Sequence, residues 1–388
     1  MRKFKATYWK IPIVPVVALV TALAAATPSY AASWTVVPSP NASVEDWLSS
    51  LAAFSPSDLW SVGTAYRTNG TDSSSGLIEQ YDGTSWQIAS APSPAGCEYC
   101  SLNGVAGSSS SDVWAVGEEF FNKADYGALI ENYNGSAWSL VSAPTPTYNG
   151  YLSGITSLSS SNAWAVGGMY YDGPEGPLVE HYNGTAWSIT PTASVPGGIL
   201  TAVTAVSASD IWAIGDDADA GTGIVMNYNG TSWTQTSVPA PSGTDWDLTG
   251  ISADSASDVW ATGYTYNVLD TADGVQPIVE HYNGTSWTLT YLPIPSGYTY
   301  AAIANVLAIS STDIWATGYS TTSTAGAADV ALFEQYNGTS WTIEPSPSLS
   351  GYALGFDGMA NVDGTLWAVG SEEPLPQGLD QTATASYP

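Results

Sequence analysis

Basic side chains are almost missing from this chain: six Lys and Arg stand against 35 Asp and Glu, with two His, in 388 residues. Four of the six, Arg2, Lys3, Lys5 and Lys10, crowd the N-terminus, and beyond it only Arg67 and Lys123 remain. Nothing here can track a phosphate backbone or an anionic bilayer, which excludes nucleic acid and anionic membranes as partners. Cysteine is nearly as scarce, its only pair being Cys97-Glu98-Tyr99-Cys100. A local disulfide pinching one loop suits an exported chain. The same spacing occurs in redox and zinc sites, but without a second C-x-x-C or a nearby His no tetrahedral zinc set can form. Helical periodicity is absent throughout. Charged residues make up only 11% of the chain; with few ion pairs to lose on protonation, an acidic external medium should be tolerated.

The N-terminal charges lead into an apolar stretch from Ile11 to Ala26 and then Ser29-Tyr30-Ala31, the layout of a secretory signal peptide. Pro12 and Pro15 interrupt that stretch, which falls short of the ~20 apolar residues of a comfortable span. Residues 1–31 are therefore expected to be removed, leaving a secreted domain, 32–388, with no membrane insertion. Two basic against 35 acidic residues then give it a charge of −33.

What the chain has in abundance is repetition. One signature, Y-N-G-T-S-W or a variant, places its Trp at Trp34, Trp86, Trp138, Trp187, Trp233, Trp287 and Trp341, 46 to 54 residues apart. A second, S-D-x-W-A-x-G or a variant, places its Trp at Trp60, Trp114, Trp164, Trp212, Trp260, Trp315 and Trp367. Within one period four short β-type segments alternate with turns, as in Leu248 to Ala253, Val259 to Gly263, Ile278 to Tyr282 and Ser286 to Leu292. Asn283-Gly284 between the third and fourth is expected to supply the two positive-φ positions of a tight hairpin. At Ser257-Asp258, between the first and second, the Asp side chain is expected to bond the local backbone. Four antiparallel strands at this period make a propeller blade. Seven copies predict an all-β, seven-bladed β-propeller.

The ends sharpen that prediction. The domain opens on an orphan fourth strand, Ser33-Trp34-Thr35-Val36-Val37, and its last repeat ends near Ala383 to Tyr387 without an outer strand. The first strand is expected to complete the last blade, closing the ring and leaving no exposed edge.

The sequence resembles the secreted bacterial β-propellers of the kelch and Asp-box kind over essentially the whole domain. The carrier is Tyr282-Asn283-Gly284-Thr285-Ser286-Trp287 and its copies, similar to the D-x-G-x-x-W part of an Asp-box with Tyr in place of Asp. The resemblance implies fold and says little of function. It does imply chemistries to check. A sialidase needs several arginines and the exported domain has one; a copper-radical oxidase needs a histidine pair, and His181 and His281 lie a hundred residues apart at equivalent positions.

Fourteen of the 17 Trp residues fall at repeat positions and are expected in the core. Glu79, Glu131, Glu180, Glu280 and Glu334 repeat as well, and so are expected to be structural, accepting a hydrogen bond from a neighbouring blade's Trp or backbone. By the family's convention the tight hairpins share one face, and the longer connections, which should be aromatic and acidic, share the other. Variable loops on a rigid scaffold carry function. Candidate ligand contacts are Trp47 and Trp246, which the repeat leaves unexplained, with Tyr170, Tyr171, Tyr264, Glu118 and Glu119. Aromatic rings beside carboxylates suit sugars. Asp217-Ala218-Asp219-Ala220-Gly221 resembles half a calcium loop, making Asp217 and Asp219 the sole metal candidates; no other cofactor is expected. The leading reading is a monomeric, non-catalytic extracellular module binding a glycan or protein. The alternatives are a polysaccharide-acting hydrolase or lyase with paired carboxylates and a structural surface protein.

Overall fold

The computed structural model describes residues 32–67, 73–121, 125–144, 149–170, 176–266, 275–322, 329–375 and 378–388. They form 28 strands arranged as seven antiparallel four-stranded blades, a seven-bladed β-propeller. Blades 1 to 6 occupy residues 45–88, 99–140, 149–189, 198–235, 245–291 and 300–344. Blades 1 and 2 run on as one sheet through a single parallel bridge, Ser74 to Tyr99. Blade 7 takes three strands from Tyr352–Val362, Thr365–Pro374 and Gln381–Tyr387 and its fourth from the far end of the chain, Thr35–Val37. There Thr35 pairs Ser386, Val36 pairs Ala385 and Val37 pairs Thr384, as the orphan strand predicted.

Aromatic triads hold neighbouring blades together. The Trp of each second strand meets the Tyr and Trp that flank the next blade's outer hairpin. Trp60 lies 4.7 Å from Tyr133 and 5.3 Å edge-on from Trp138. The pattern continues around the ring to Trp367, 4.6 Å from Tyr81 and 6.0 Å from Trp86. Trp34 takes the outer position in blade 7, against Trp315 and stacked 4.1 Å from Phe333. Thirteen of the fourteen repeat Trp residues are buried and Trp341 is partly so. Rings of this size contribute about 0.5–1.5 kcal/mol per contact beyond the area they bury.

Two turn expectations need correction. At the outer hairpins only the glycine has positive φ, between 88° and 92° for Gly83, Gly135, Gly184, Gly230, Gly284 and Gly338. The Asn works through its side chain, with Asn283 Oδ1 accepting the N–H groups of Thr285 at 3.0 Å and Ser286 at 3.1 Å. A four-residue Asx turn thus replaces the two-residue loop. At the inner turns the Asp does not bond the local backbone. Asp258 Oδ1 accepts the Trp260 indole N–H at 2.8 Å and lies 2.7 Å from His281 Nε2. Asn162 and Asp313 serve Trp164 and Trp315 likewise. His281 is stacked 3.8 Å from Trp260 and His181 4.1 Å from Trp164. Both histidines therefore lock repeat tryptophans in place.

The five repeated glutamates are more buried than expected, and less bonded. Glu79, Glu131, Glu180, Glu280 and Glu334 are all 0% exposed between blades. Glu79 accepts the Ser39 hydroxyl, whereas both carboxyl oxygens of the other four lack a protein partner. Burial pushes each of the five up to about 8.

Candidate functional site

The long-loop face is built by strands. Second strands run past their predicted ends: Asp112–Phe121 includes Glu118 and Glu119, Asp210–Asp217 includes Asp216, Asp258–Tyr266 includes Tyr264, and Thr365–Pro374 includes Glu372 and Glu373. Each second strand crosses its inner strand at a glycine. A Cβ at Gly63 or Gly263 would collide with the carbonyl oxygen of Trp47 or Asp247. The residues just past this glycine stand at one level around the ring: Thr64, Glu118, Gly168, Asp216, Tyr264, Tyr319 and Ser371.

Across blades 4 to 7 this level becomes an arc of carboxyls and phenols. Tyr266 donates to Asp247 Oδ1 at 3.2 Å, and Tyr264 also bonds Asp247. Burial, then the neighbouring Asp247 and Asp217, push Asp216 up to about 6. Burial and Asp247 push Tyr264 up to about 12. Tyr319 feels Asp329 and Asp357, and Asp380 feels Glu373, Glu45 and Asp329, so the arc continues into blade 1. Tyr319, Asp329, Asp357, Glu373 and Asp380 line a cavity of 230 Å³. Among described residues Arg67 is the one basic side chain near the arc, and it acts on Asp46.

Asp357 also faces a second cavity, 320 Å³ on the propeller axis. In every inner strand the register slips by one residue, so that a bulged residue turns toward the axis. The seven are Ser49, Asn103, Ser153, Thr201, Thr249, Ala304 and Asp357, the one carboxyl among them. The Asp357 side chain is exposed to the open channel, although protein atoms crowd around it. Burial and then Asp380 push the carboxyl up to about 6.

Another pocket, of 240 Å³, lies between blades 1 and 2, lined by Ser74, Tyr99, Cys100, Ser101, Glu118, Phe120 and Tyr126. Ser101 Oγ donates to Glu118 Oε1 at 3.3 Å. Cys97 and Cys100 are joined as a disulfide in its wall. Glu119, on the other side of the strand, packs over Gly127, and burial raises its carboxyl.

The other candidates scatter. Trp246 is 2% exposed and packs over Gly223 in the core between blades 4 and 5, which removes it from any ligand surface. The repeat does not show this because the residue at the position of Gly223, which admits the ring, varies from blade to blade. Trp47 is half-buried on the inner strand of blade 1. Tyr170 ends the second strand of blade 3; its side chain and Tyr171 lie outside the described residues. Asp217 Oδ1 takes the N–H groups of Asp219 and Ala220 at 3.1 and 3.0 Å, an Asx turn. Among described residues no three His, Cys, Asp or Glu side chains converge as a metal set. Sequence reading missed Asp247, Tyr319, Asp329, Asp357 and Asp380. Aligning the inner strands would have marked Asp357, since its position otherwise holds Ser, Asn, Thr or Ala.

No family model matches the chain, and no curated protein does. Among solved structures it is similar to YCF48 bound to D1 peptide, with 11% identity over 91% of this chain and 96% of that one and a TM-score of 0.57. It is similar to YCF48 from Cyanidioschyzon merolae at 15% identity over 92% and 99%, TM-score 0.56. It is also similar to polysaccharide lyase Uly1 at 9% identity over 87% and 89%, TM-score 0.53. At these identities the likeness is one of fold: this chain shares the β-propeller architecture of all three.

Proposed function

We propose that this protein is an exported, non-catalytic binding module that takes a cationic segment of a protein ligand on its long-loop face. In this reading residues 1–31 are a secretory signal, and the propeller of the kelch and Asp-box kind, 32–388, acts outside the cell as a monomer without a cofactor. The observation that carries it is the arc from Asp216 through Asp247, Tyr264, Tyr319 and Asp329 to Asp380, which sits over two polar cavities and, among the described residues, has Arg67 as its one basic neighbour. Fixed like charges raise the local concentration of an oppositely charged partner and its on-rate. Phenols beside carboxylates add faces for cation–π contact. A structural neighbour that binds a peptide accords with such use of the fold.

Titration of the propeller with a fluorescent oligo-arginine peptide, and with an acidic peptide of equal length, tests this. The cationic peptide should bind with an affinity that falls as salt rises. Asp247→Asn with Asp380→Asn should weaken it at least tenfold, while Asp219→Asn with Asp254→Asn, equal in charge but outside the arc, should change it little. Equal losses from the two pairs contradict the assignment.

One observation favours a second reading, a polysaccharide-acting hydrolase or lyase. Asp357, pushed up to about 6 next to Asp380, is a carboxylic acid that holds its proton in mildly acidic medium, as a general acid must. Release of reducing ends or unsaturated products from an acidic or neutral polysaccharide, abolished by Asp357→Asn, would establish it; no turnover across a polysaccharide panel leaves the binding reading in place.

A further inference from the structure

The bulged residues on the axis do more than line it. Asn103 Nδ2 donates to the carbonyl oxygen of Leu152 at 2.9 Å, Thr201 Oγ1 to that of Leu248 at 2.8 Å and Thr249 Oγ1 to that of Ile303 at 2.6 Å. Each bond crosses from the inner strand of one blade to that of the next. A backbone contact fixes the geometry: a Cβ on Gly104, the residue after Asn103, would lie 3.2 Å from the Cα of Gly154, two residues beyond the acceptor Leu152. A Cβ on Gly250, after Thr249, would lie 2.8 Å from the Cα of Asn305, two beyond Ile303. At the closing seam a Cβ on Gly358 would lie 3.0 Å from the Cα of Ser50. By the same offset, Leu48 O is the acceptor for residue 357. That residue is an Asp, and a carboxylate has no hydrogen to donate.

We infer that Asp357 is a proton-operated latch on the ring's closing seam: as the neutral acid it donates to the Leu48 carbonyl oxygen, and as the carboxylate it repels it. The junction of blades 7 and 1 is then bonded at the axis in acidic medium and unbonded in neutral medium, whereas the Asn103, Thr201 and Thr249 junctions ignore pH. The surroundings point the same way. Toward the long-loop face Asp357 shares its cavity with Asp329, Glu373, Asp380 and Tyr319, carboxyls and a phenol without a cation. Toward the axis it faces hydroxyls, amides and backbone, with no titratable group. Burial and Asp380 both favour the neutral acid, and its carboxyl is pushed up to about 6. This device stands apart from the proposed ligand and concerns where the protein is rigid.

Amide hydrogen exchange on the wild-type protein, corrected for the intrinsic pH dependence, reads it directly. Between pH 5 and pH 7.5 protection at Leu48, Ser50 and Leu51 should fall about tenfold further than protection at Leu152 and Gly154 across the Asn103 junction, the effect of one lost hydrogen bond. Asp357→Asn, which copies the residue blade 2 already uses, should remove that excess loss, so that the seam follows the Asn103 junction at both pH values. Asp357→Thr, copying blades 4 and 5, should do the same if the Asn variant folds poorly. Equal pH responses at the two junctions of the wild type, or a seam that loosens with pH in both variants, overturn the latch.

Discussion

Raising the pH from 5 to 8.5 is expected to lower the thermal unfolding midpoint of the propeller by on the order of 10 °C. The cause is the five glutamates between the blades, each fully buried and pushed up to about 8. Below their unfolded value of 4.5 both states hold the proton and the contribution is complete. Between there and about 8 the unfolded chain ionises while the folded one does not, so stability falls with a limiting slope of about 1.4 kcal/mol per pH unit per group. Above about 8 the folded state ionises too and the loss levels off. Asp46, Glu119, Asp216, Asp247, Asp329, Asp357, Glu372 and Asp380 are all raised by burial and act in the same sense. His181, lowered by burial, acts in the opposite sense, losing stability as pH falls, as does exposed Asp82, lowered by its bond from Thr84.

Glutamine separates this effect from general repulsion among acidic side chains, because it matches the neutral acid in shape and cannot ionise. Glu180→Gln with Glu280→Gln should raise the midpoint at pH 8.5 by several degrees and leave it nearly unchanged at pH 5, flattening the profile. A wild-type midpoint that climbs from pH 5 to 8.5, or Gln variants that keep the full slope, contradicts neutral glutamates in the blade junctions.

Removing the Trp34 ring should destabilise the protein more than any exposed substitution. Trp34 is 6% exposed, stacked on Phe333 and placed against Trp315 and Tyr387. It anchors a strand of only three residues. Trp34→Ala should cost about 3–5 kcal/mol, the range for a buried aromatic truncated to Ala. Thr384 Oγ1 donating to Val37 O at 2.7 Å and Thr382 N–H donating to Asn41 Oδ1 at 2.9 Å hold the same segment, but losing either bond costs only about 0.5–1.5 kcal/mol. A released first strand also bares the Gln381–Tyr387 edge, so association in the variant should accompany the drop in denaturant midpoint. A Trp34→Ala midpoint within about 1 kcal/mol of wild type contradicts the closure.

The fold was legible because its signals are repeated. Seven pairs of Trp signatures set the blade count, and an orphan strand at one end matched a missing strand at the other. The turns were legible in position only. Asn283 and Asp258 were assigned backbone roles from local turn chemistry, but the register sends the Asp258 side chain to Trp260 and His281, and Asn283 Oδ1 back over its own turn. The site was the least legible part. Trp246 looked available because the repeat did not explain it, yet a glycine in the preceding blade admits its ring to the core. Asp247, Tyr319 and Asp357 lie far apart in sequence within strand segments that look like scaffold. Only the level at which second strands cross inner strands, and the bulge that turns one residue per blade toward the axis, bring them together.

The ring closes through its first strand, and pairing Val36→Cys with Ala385→Cys tests this closure most directly, since these residues are register partners across the seam. Because the two native cysteines are already joined, the new thiols should pair with each other. A disulfide within one chain is expected under mild oxidation, at full yield in dilute protein and with a native circular dichroism spectrum. Thiols that stay free, or that couple two chains instead, would contradict it.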